Sequence, residues 1–344
     1  MSKAKIDDVA KLAGVSIKTV SRVVNNEPNV REATRAKVEK AIAELNYRPN
    51  LAARNLASHH SHLIALIYDD PSAYETPSAG YIIRMQEGAL RACGALGYEL
   101  LIHPCLYRGE HVRDELKALV EQARPDGIVL AAPLSNMPNI VRTLQATGTP
   151  LVMLSPGKKS GTHLSIATND REISAKMTCY LASLGHQKIA FIKGDPDHKA
   201  VGNRYLGYLD GLDQSGLKFD ERFVAEGDNS IGSGEIGAEQ LLEQEDRPTA
   251  IFAANDDMAA GVIRVADRIG ISVPRELSVA GCDDIALARQ IYPSLTTIRQ
   301  PLSAMAERAT SALIEHLRAG TPLDGTEVVS CIIQVRESSG PARD

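Results

Sequence analysis

Lys18 and Arg22 stand four residues apart in the stretch VSIKTVSRVVNN, residues 15 to 26, among Ser16, Thr19, Ser21 and Asn25. On a helix, Val15, Val20, Val23 and Val24 form one apolar stripe, while Ile17, Lys18, Thr19, Ser21, Arg22 and Asn25 share the opposite face. The chemistry open to that face is recognition by hydrogen bonding. A guanidinium fork and an ammonium donate to base edges, and short hydroxyls hold phosphate oxygens. The plain alternative is a solvated face of a small helical bundle.

Other candidate groups point away from catalysis. Asp256-Asp257 and Asp283-Asp284 look like acid–base carboxylates, but neighbours on a strand point apart and cannot face each other across a substrate. The sequence holds no GxSxG, no HExxH and no metal-ligand spacing of Cys and His. Cys93, Cys105, Cys179, Cys282 and Cys331 form no CxxC pair and read as reduced, buried thiols. His59, His60 and His62 lie in a polar linker, a poor metal site. GSGEIG at 232 to 237 matches GxGxxG, yet the preceding DNSI is too polar for the strand a dinucleotide site needs. Glycines opening a helix account for it. No enzyme activity, cofactor or metal is expected.

The elements that must position the basic face are short. Ile6, Val9, Ala10 and Ala13 follow helical spacing, and Gly14 ends that helix in a tight turn. A second helix is predicted from Ser16 to Val24, and a third from Arg31 to Leu45 with Val38, Ile42 and Leu45 on one side. Two helices joined by a glycine turn and braced by a third form a helix-turn-helix, whose second helix enters a major groove. Charge agrees. Residues 1 to 62 hold 11 Lys/Arg against 6 Asp/Glu, whereas the remainder carries a net charge of −10. A basic head on an acidic body meets a polyanion only through its head. After it, Pro49-Asn50 starts a further helical turn or two of small residues around Leu56.

DVAKLAGVSIKTVSRVVNN, followed by TRAKVEKAIAELNYRPNLAARNLA, resembles the DNA-binding head of the lactose-repressor/galactose-repressor (LacI/GalR) family of bacterial regulators over residues 6 to 57. The resemblance implies that Ile17, Lys18 and Arg22 read bases, that Ser16, Thr19, Ser21 and Asn25 hold the backbone, and that a hinge helix with Asn50, Ala53 and Leu56 enters the minor groove. Lys5 and Asp7 stand where many members carry a capping threonine and a tyrosine.

From residue 63 the pattern changes. LIALIYDD, GYELLIHPC, DGIVLAAP, TPLVMLSP, KIAFIKGD, AIFAAND and LSVAGCDD are short apolar runs, separated by helical stretches at 80–96, 111–123, 170–184, 200–215 and 256–269. This is a βα rhythm, with parallel sheets covered on both faces and ligands at the strands' carboxyl ends. Those ends are polar: Asp69-Asp70, Ser155, Asn255-Asp256 and Asp283-Asp284. The body resembles the family's two-lobed, periplasmic-binding-protein-like effector domain. The fold expected is therefore an all-α helix-turn-helix head (1–48), a hinge and linker (49–62), and an α/β body (63–340). The N-lobe is placed at 63–165 and 298–325, and the C-lobe at 166–297 and 326–338.

The same resemblance implies an effector pocket with Arg204, Asn255, Asp283 and Tyr81, while Ser155-Pro156 replaces an acidic residue many sugar-binding members carry. The loop YDDPSAYETPSAGY is longer than usual and is expected to line this end of the cleft. A neutral sugar is the effector favoured, because Asp283 with Asp69, Asp70 and Asp256 would repel an anion and aromatics to flank a purine are scarce. A purine or other small metabolite is the alternative. An exported solute-binding protein would lack the helix-turn-helix. MSKAKIDDVA has no apolar leader, so a cytoplasmic location is expected. Without a heptad-patterned tail the assembly expected is a homodimer on a pseudo-palindromic operator.

Overall fold

Gly14, at φ 65°, closes helix α1 (Ile6–Ala13) in the left-handed conformation and turns the chain into α2 (Ile17–Val24). Lys5 precedes α1 without capping it, and the Asp8 carboxylate instead accepts the Lys5 backbone N–H at 2.8 Å. Helix α3 (Glu32–Glu44) packs across both. Val9, Ala10, Val20, Val23, Val38 and Ala41 make their shared core. The three helices fall within about a residue of the boundaries read from spacing.

The computed structural model describes residues 4–24, 29–47, 60–70, 79–157 and 163–343, and the chain divides into units Met1–Ser61 and His62–Asp344. Asn25, the hinge residues Asn50, Ala53 and Leu56, and the loop at 71–78 lie outside the described residues.

Among the described residues the second unit holds two six-stranded sheets. The first runs β11-β5-β4-β3-β1-β2, all parallel, from β1 (Leu63–Asp69), β2 (Glu99–Cys105), β3 (Gly127–Leu130), β4 (Leu151–Leu154), β5 (Ser165–Thr168) and β11 (Thr326–Val329). The second runs β12-β10-β9-β8-β6-β7, from β6 (Ile189–Ile192), β7 (Val224–Ala225), β8 (Ala250–Ala253), β9 (Ser278–Asp283), β10 (Thr296–Arg299) and β12 (Ile332–Gln334), with only β12 antiparallel to its neighbour. Helices α4 (Gly80–Leu96), α5 (Val112–Ala123), α6 (Pro138–Gln145) and α12 (Leu302–Ala319) cover the first sheet. Helices α7 (Asp170–Ser183), α8 (Lys199–Gln214), α9 (Ile231–Leu242), α10 (Asp256–Arg268) and the short α11 (Leu287–Gln290) belong with the second. The inner strands β3, β4, β6 and β8 are buried at every residue, as sheets covered on both faces require.

Two details differ from expectation. The sheets shift all three lobe boundaries: β5 runs to Thr168 in the first sheet, β10 runs to Arg299 in the second, and Thr326–Val329 pairs with β5 in the first. The passages between lobes therefore fall after 168, after 299 and at 330–331 rather than after 165, 297 and 325. The side chains of β11 are half-buried apart from the exposed Val328, which suits an edge strand. GYELLIHPC forms not a doubly covered strand but the edge strand β2, where Glu99, Ile102 and Pro104 are exposed. GSGEIG lies in the first turns of α9, as expected of glycines opening a helix. A Cβ at Gly234 would stand 2.3 Å from the Met258 carbonyl oxygen, so this glycine lets α9 lie directly on α10. No described helix is long and apolar enough to cross a membrane.

Candidate functional site

In the head, Ile17, Lys18 and Arg22 are exposed, while Thr19 and Ser21 are half-buried on the flank of α2. Burial of Val20 and Val23 fixes this orientation, because residues three apart share a helix face. The exposure of Ile17, 48%, places an apolar contact beside the two cations. Ser16 starts the helix. Its hydroxyl accepts the Thr19 backbone N–H at 3.2 Å and pairs with the Thr19 hydroxyl at 2.9 Å. These two hydroxyls therefore also hold the helix start in place.

In the body, strands β1 and β4 of the first lobe and β6, β8 and β9 of the second end around one cavity of about 150 Å3. Tyr81, Arg204, Asn255 and Asp283 all line it, as do Asp69 and Ser155. These residues are scattered over two hundred positions and meet because parallel strands deliver their carboxyl ends to one side of each sheet.

Arg204 anchors the floor. Its Nε donates to Asp170 Oδ1 at 3.0 Å and its Nη1 to the Ala254 carbonyl at 2.5 Å, with Nη1 3.5 Å from Asp283 Oδ1. Burial disfavours the guanidinium charge, but Asp283 and Asp170 outweigh it and hold its pKa above the ordinary value. Asp283 takes a positive φ of 128°, unusual for a non-glycine, and receives an amide hydrogen bond from Gln300. Burial pushes its carboxyl up to about 6, with Arg204 and Gln300 opposing the shift.

Asn255 has two duties. Its carbonyl caps α10 by accepting the Met258 N–H at 2.9 Å, and its amide donates to the Asn229 carbonyl at 2.8 Å. One amide hydrogen remains for a ligand. Tyr81 meets the Ser155 hydroxyl, and enclosure pushes its phenol up to about 12, so it stays a neutral donor.

The paired aspartates divide, although Asp256-Asp257 open α10 rather than lying on a strand. Asp257 lines the cavity, whereas Asp256, expected there, is buried behind it, accepting from Ile285 N at 3.0 Å and the Thr297 hydroxyl. Its lack of solvent raises its pKa well above the carboxylate range. Asp284 turns away to Arg299 Nε at 2.6 Å and Arg336 Nη2 at 2.5 Å, a structural ion pair.

Asp195, His198, Asp228 and Asn229 also line the cavity, and sequence reasoning passed over all four. They lie in the polar segments GDPDH and GDN that follow β6 and β7. The signal was available in Asp195, which stands three residues beyond the carboxyl end of the buried strand β6. Burial lowers the His198 imidazole to about 4, which leaves it neutral near pH 7 with one donor and one acceptor.

This combination of a helix-turn-helix and a two-lobed α/β cavity is shared with characterised regulators. Residues 5–50 match the model for bacterial regulatory proteins of the lacI family, and residues 178–339 match a periplasmic binding protein-like domain. The HTH-type transcriptional repressor PurR of Erwinia tasmaniensis is 34% identical over 346 residues, 99% of each chain. The chain belongs to the lacI family. A second relative, the ribose operon repressor of Escherichia coli K12, is 35% identical over 92% of this chain and 94% of its own. The lac repressor dimer bound to operator and the anti-inducer ONPF superposes with a TM-score of 0.78 at 28% identity, covering 98% of this chain and all of that one. As a lacI-family member this protein is a DNA-binding transcriptional repressor and not an enzyme.

Proposed function

We propose that the repressor responds to a neutral, polyhydroxylated ligand, a mono- or oligosaccharide, bound in the cavity between the lobes. The observation that carries this reading is the lining. Asp69, Asp195, Asp228, Asp257 and Asp283 surround a single guanidinium that Asp170 and Asp283 already balance. Sugar hydroxyls donate to such carboxylates and accept from Arg204 and the spare Asn255 hydrogen, whereas a phosphate or carboxylate ligand meets like charge. Among the described lining residues Tyr81 is the one Phe or Tyr, and it gives a pyranose a face to lie on. The ribose operon repressor's likeness over most of its length fits this reading.

Two heads of a cytoplasmic homodimer would read a pseudo-palindromic operator, with Ile17, Lys18 and Arg22 on base edges and Ser16, Thr19, Ser21 and Asn25 on phosphates. Asn50, Ala53 and Leu56 would enter the minor groove, Leu56 as the wedge. Ligand in the cavity would bias the lobes and through them the hinge, one two-state element sensed by two sites. A thermal-shift screen of the full chain against pentoses, hexoses, disaccharides and purine bases tests the ligand class. Stabilisation by a sugar, lost in Asp283→Asn, is the expected result. Stabilisation by purine bases alone overturns it.

A further inference from the structure

Beside the cavity, a second set of polar contacts joins the two lobes. Tyr107 and Arg108 follow β2 of the first lobe, and Asp195 and Asp197 follow β6 of the second. The Tyr107 hydroxyl donates to Asp195 Oδ2 at 2.9 Å and lies 3.2 Å from Asp197 Oδ2. Arg108 Nη2 reaches Asp195 Oδ1 and Oδ2 at 3.0 and 3.1 Å and Asp197 Oδ2 at 2.9 Å, while its Nε is 3.2 Å from the same Asp197 oxygen. The guanidinium also covers the Tyr107 ring at 4.9 Å. Nearby, Asn136 of the first lobe donates to the Asp197 carbonyl at 3.2 Å.

We propose that Tyr107 and Arg108 form a clasp with Asp195 and Asp197 that sets the balance between closed and open cleft. Every bond from Tyr107 or Arg108 to these aspartates crosses from one lobe to the other, so lobe separation must break all of them together. The aspartates are held ready for the contact by their own turn, in which Asp195 Oδ1 accepts the Asp197 N–H at 2.9 Å. Asp195 and Tyr107 are buried, which protects their part of the contact from solvent. Arg108 is mostly exposed and contributes correspondingly less. Because Asp195 also lines the cavity, the clasp fixes one wall of the pocket, and this consequence rests on the reading of the cavity as the effector site.

The test does not need the effector. Spin labels at Glu121 and Asp213, exposed positions on α5 and α8, would report lobe separation by pulsed dipolar spectroscopy. The full chain would carry Cys179→Ser and be diluted with unlabelled chain, so that each measured pair lies in one molecule. Arg108→Ala should raise the open-to-closed ratio about ten-fold, the size of a charge-assisted network discounted for exposure. Tyr107→Phe and Asp197→Asn should shift it in the same direction by less. Arg113→Ala, an exposed arginine of α5, should leave the distribution unchanged. Superimposable distributions for the wild-type chain and Arg108→Ala, or an equal shift in Arg113→Ala, would overturn the clasp.

Discussion

Arg204 and Asp170, both about 95% removed from solvent, meet through Nε and Oδ1 at 3.0 Å at the base of the interlobe cavity. The pair ties the start of α7 to α8, and it aims the rest of the guanidinium toward Asp283 and the ligand space. Asp170→Asn leaves that charge with one carboxylate, Asp283 at 3.5 Å, beside the Ala254 carbonyl. Removing one partner of a buried ion pair costs about 3 kcal/mol or more. Urea denaturation should register this as a lower midpoint with an unchanged slope. An unchanged midpoint would mean that Asp170 does not support Arg204.

Asp283 gives the body a pH signature. Its folded-state carboxyl lies at about 6, above the value near 4 of an unfolded chain. Protonation therefore favours the folded form. The stabilisation is complete below pH 4 and is lost as pH rises through 6. Relative to Asp283→Asn, which does not titrate, the wild-type chain should lose about 2–3 kcal/mol between pH 4 and pH 7. Parallel unfolding curves for the two proteins across that range would contradict the shift.

The contact of α9 with α10 rests on Gly234. Its missing Cβ would lie 2.3 Å from one backbone atom of Met258 and 2.5 Å from another, and backbone cannot step aside as a side-chain tip can. Gly234→Ala should destabilise the body by about 2 kcal/mol. Gly232→Ala, where the nearest atom is 3.9 Å away, should be neutral or slightly stabilising. Calorimetry of the two variants checks the contrast, and equal melting temperatures would remove the packing role.

In the head, Arg22 is exposed on the face opposite the buried Val20 and Val23. If its fork reads a base, Arg22→Ala should cost about 1–3 kcal/mol on the operator and little on random DNA. Fluorescence anisotropy with both duplexes separates the two, and an equal loss on each would reassign Arg22 to the phosphates.

Much of this was legible before any coordinates. The head announced itself because Gly14 and the valine stripe of α2 act locally, and the buried strands β1, β3, β4, β6, β8 and β9 read as continuous apolar runs. The strands β5, β7, β10, β11 and β12 did not, because SIAT, TTIR and TEVV mix in polar residues, VA and IIQ are only two and three residues long, and their pairing is decided by neighbours far along the chain. At the cavity, Asn255 and Asp283 at strand ends and Arg204 on α8 were named through family likeness. His198 was not, since its neutrality comes from burial that only the folded loop after β6 creates. Asp256 and Asp257 were interchangeable in sequence, and only the Ile285 and Thr297 hydrogen bonds show which of the two faces inward.

The central claim is that a polyhydroxylated ligand in the cavity controls the head's grip on DNA, and operator affinity measured with and without ligand tests it most directly. The sugar that gives the largest thermal shift would be titrated into wild-type protein and Asp283→Asn, each bound to operator. The account predicts that both proteins bind operator alike without sugar, and that sugar changes affinity at least five-fold for the wild-type chain, the lower end of typical coupling between sites, but not for the variant. A full response in Asp283→Asn would place the effector elsewhere and contradict the account.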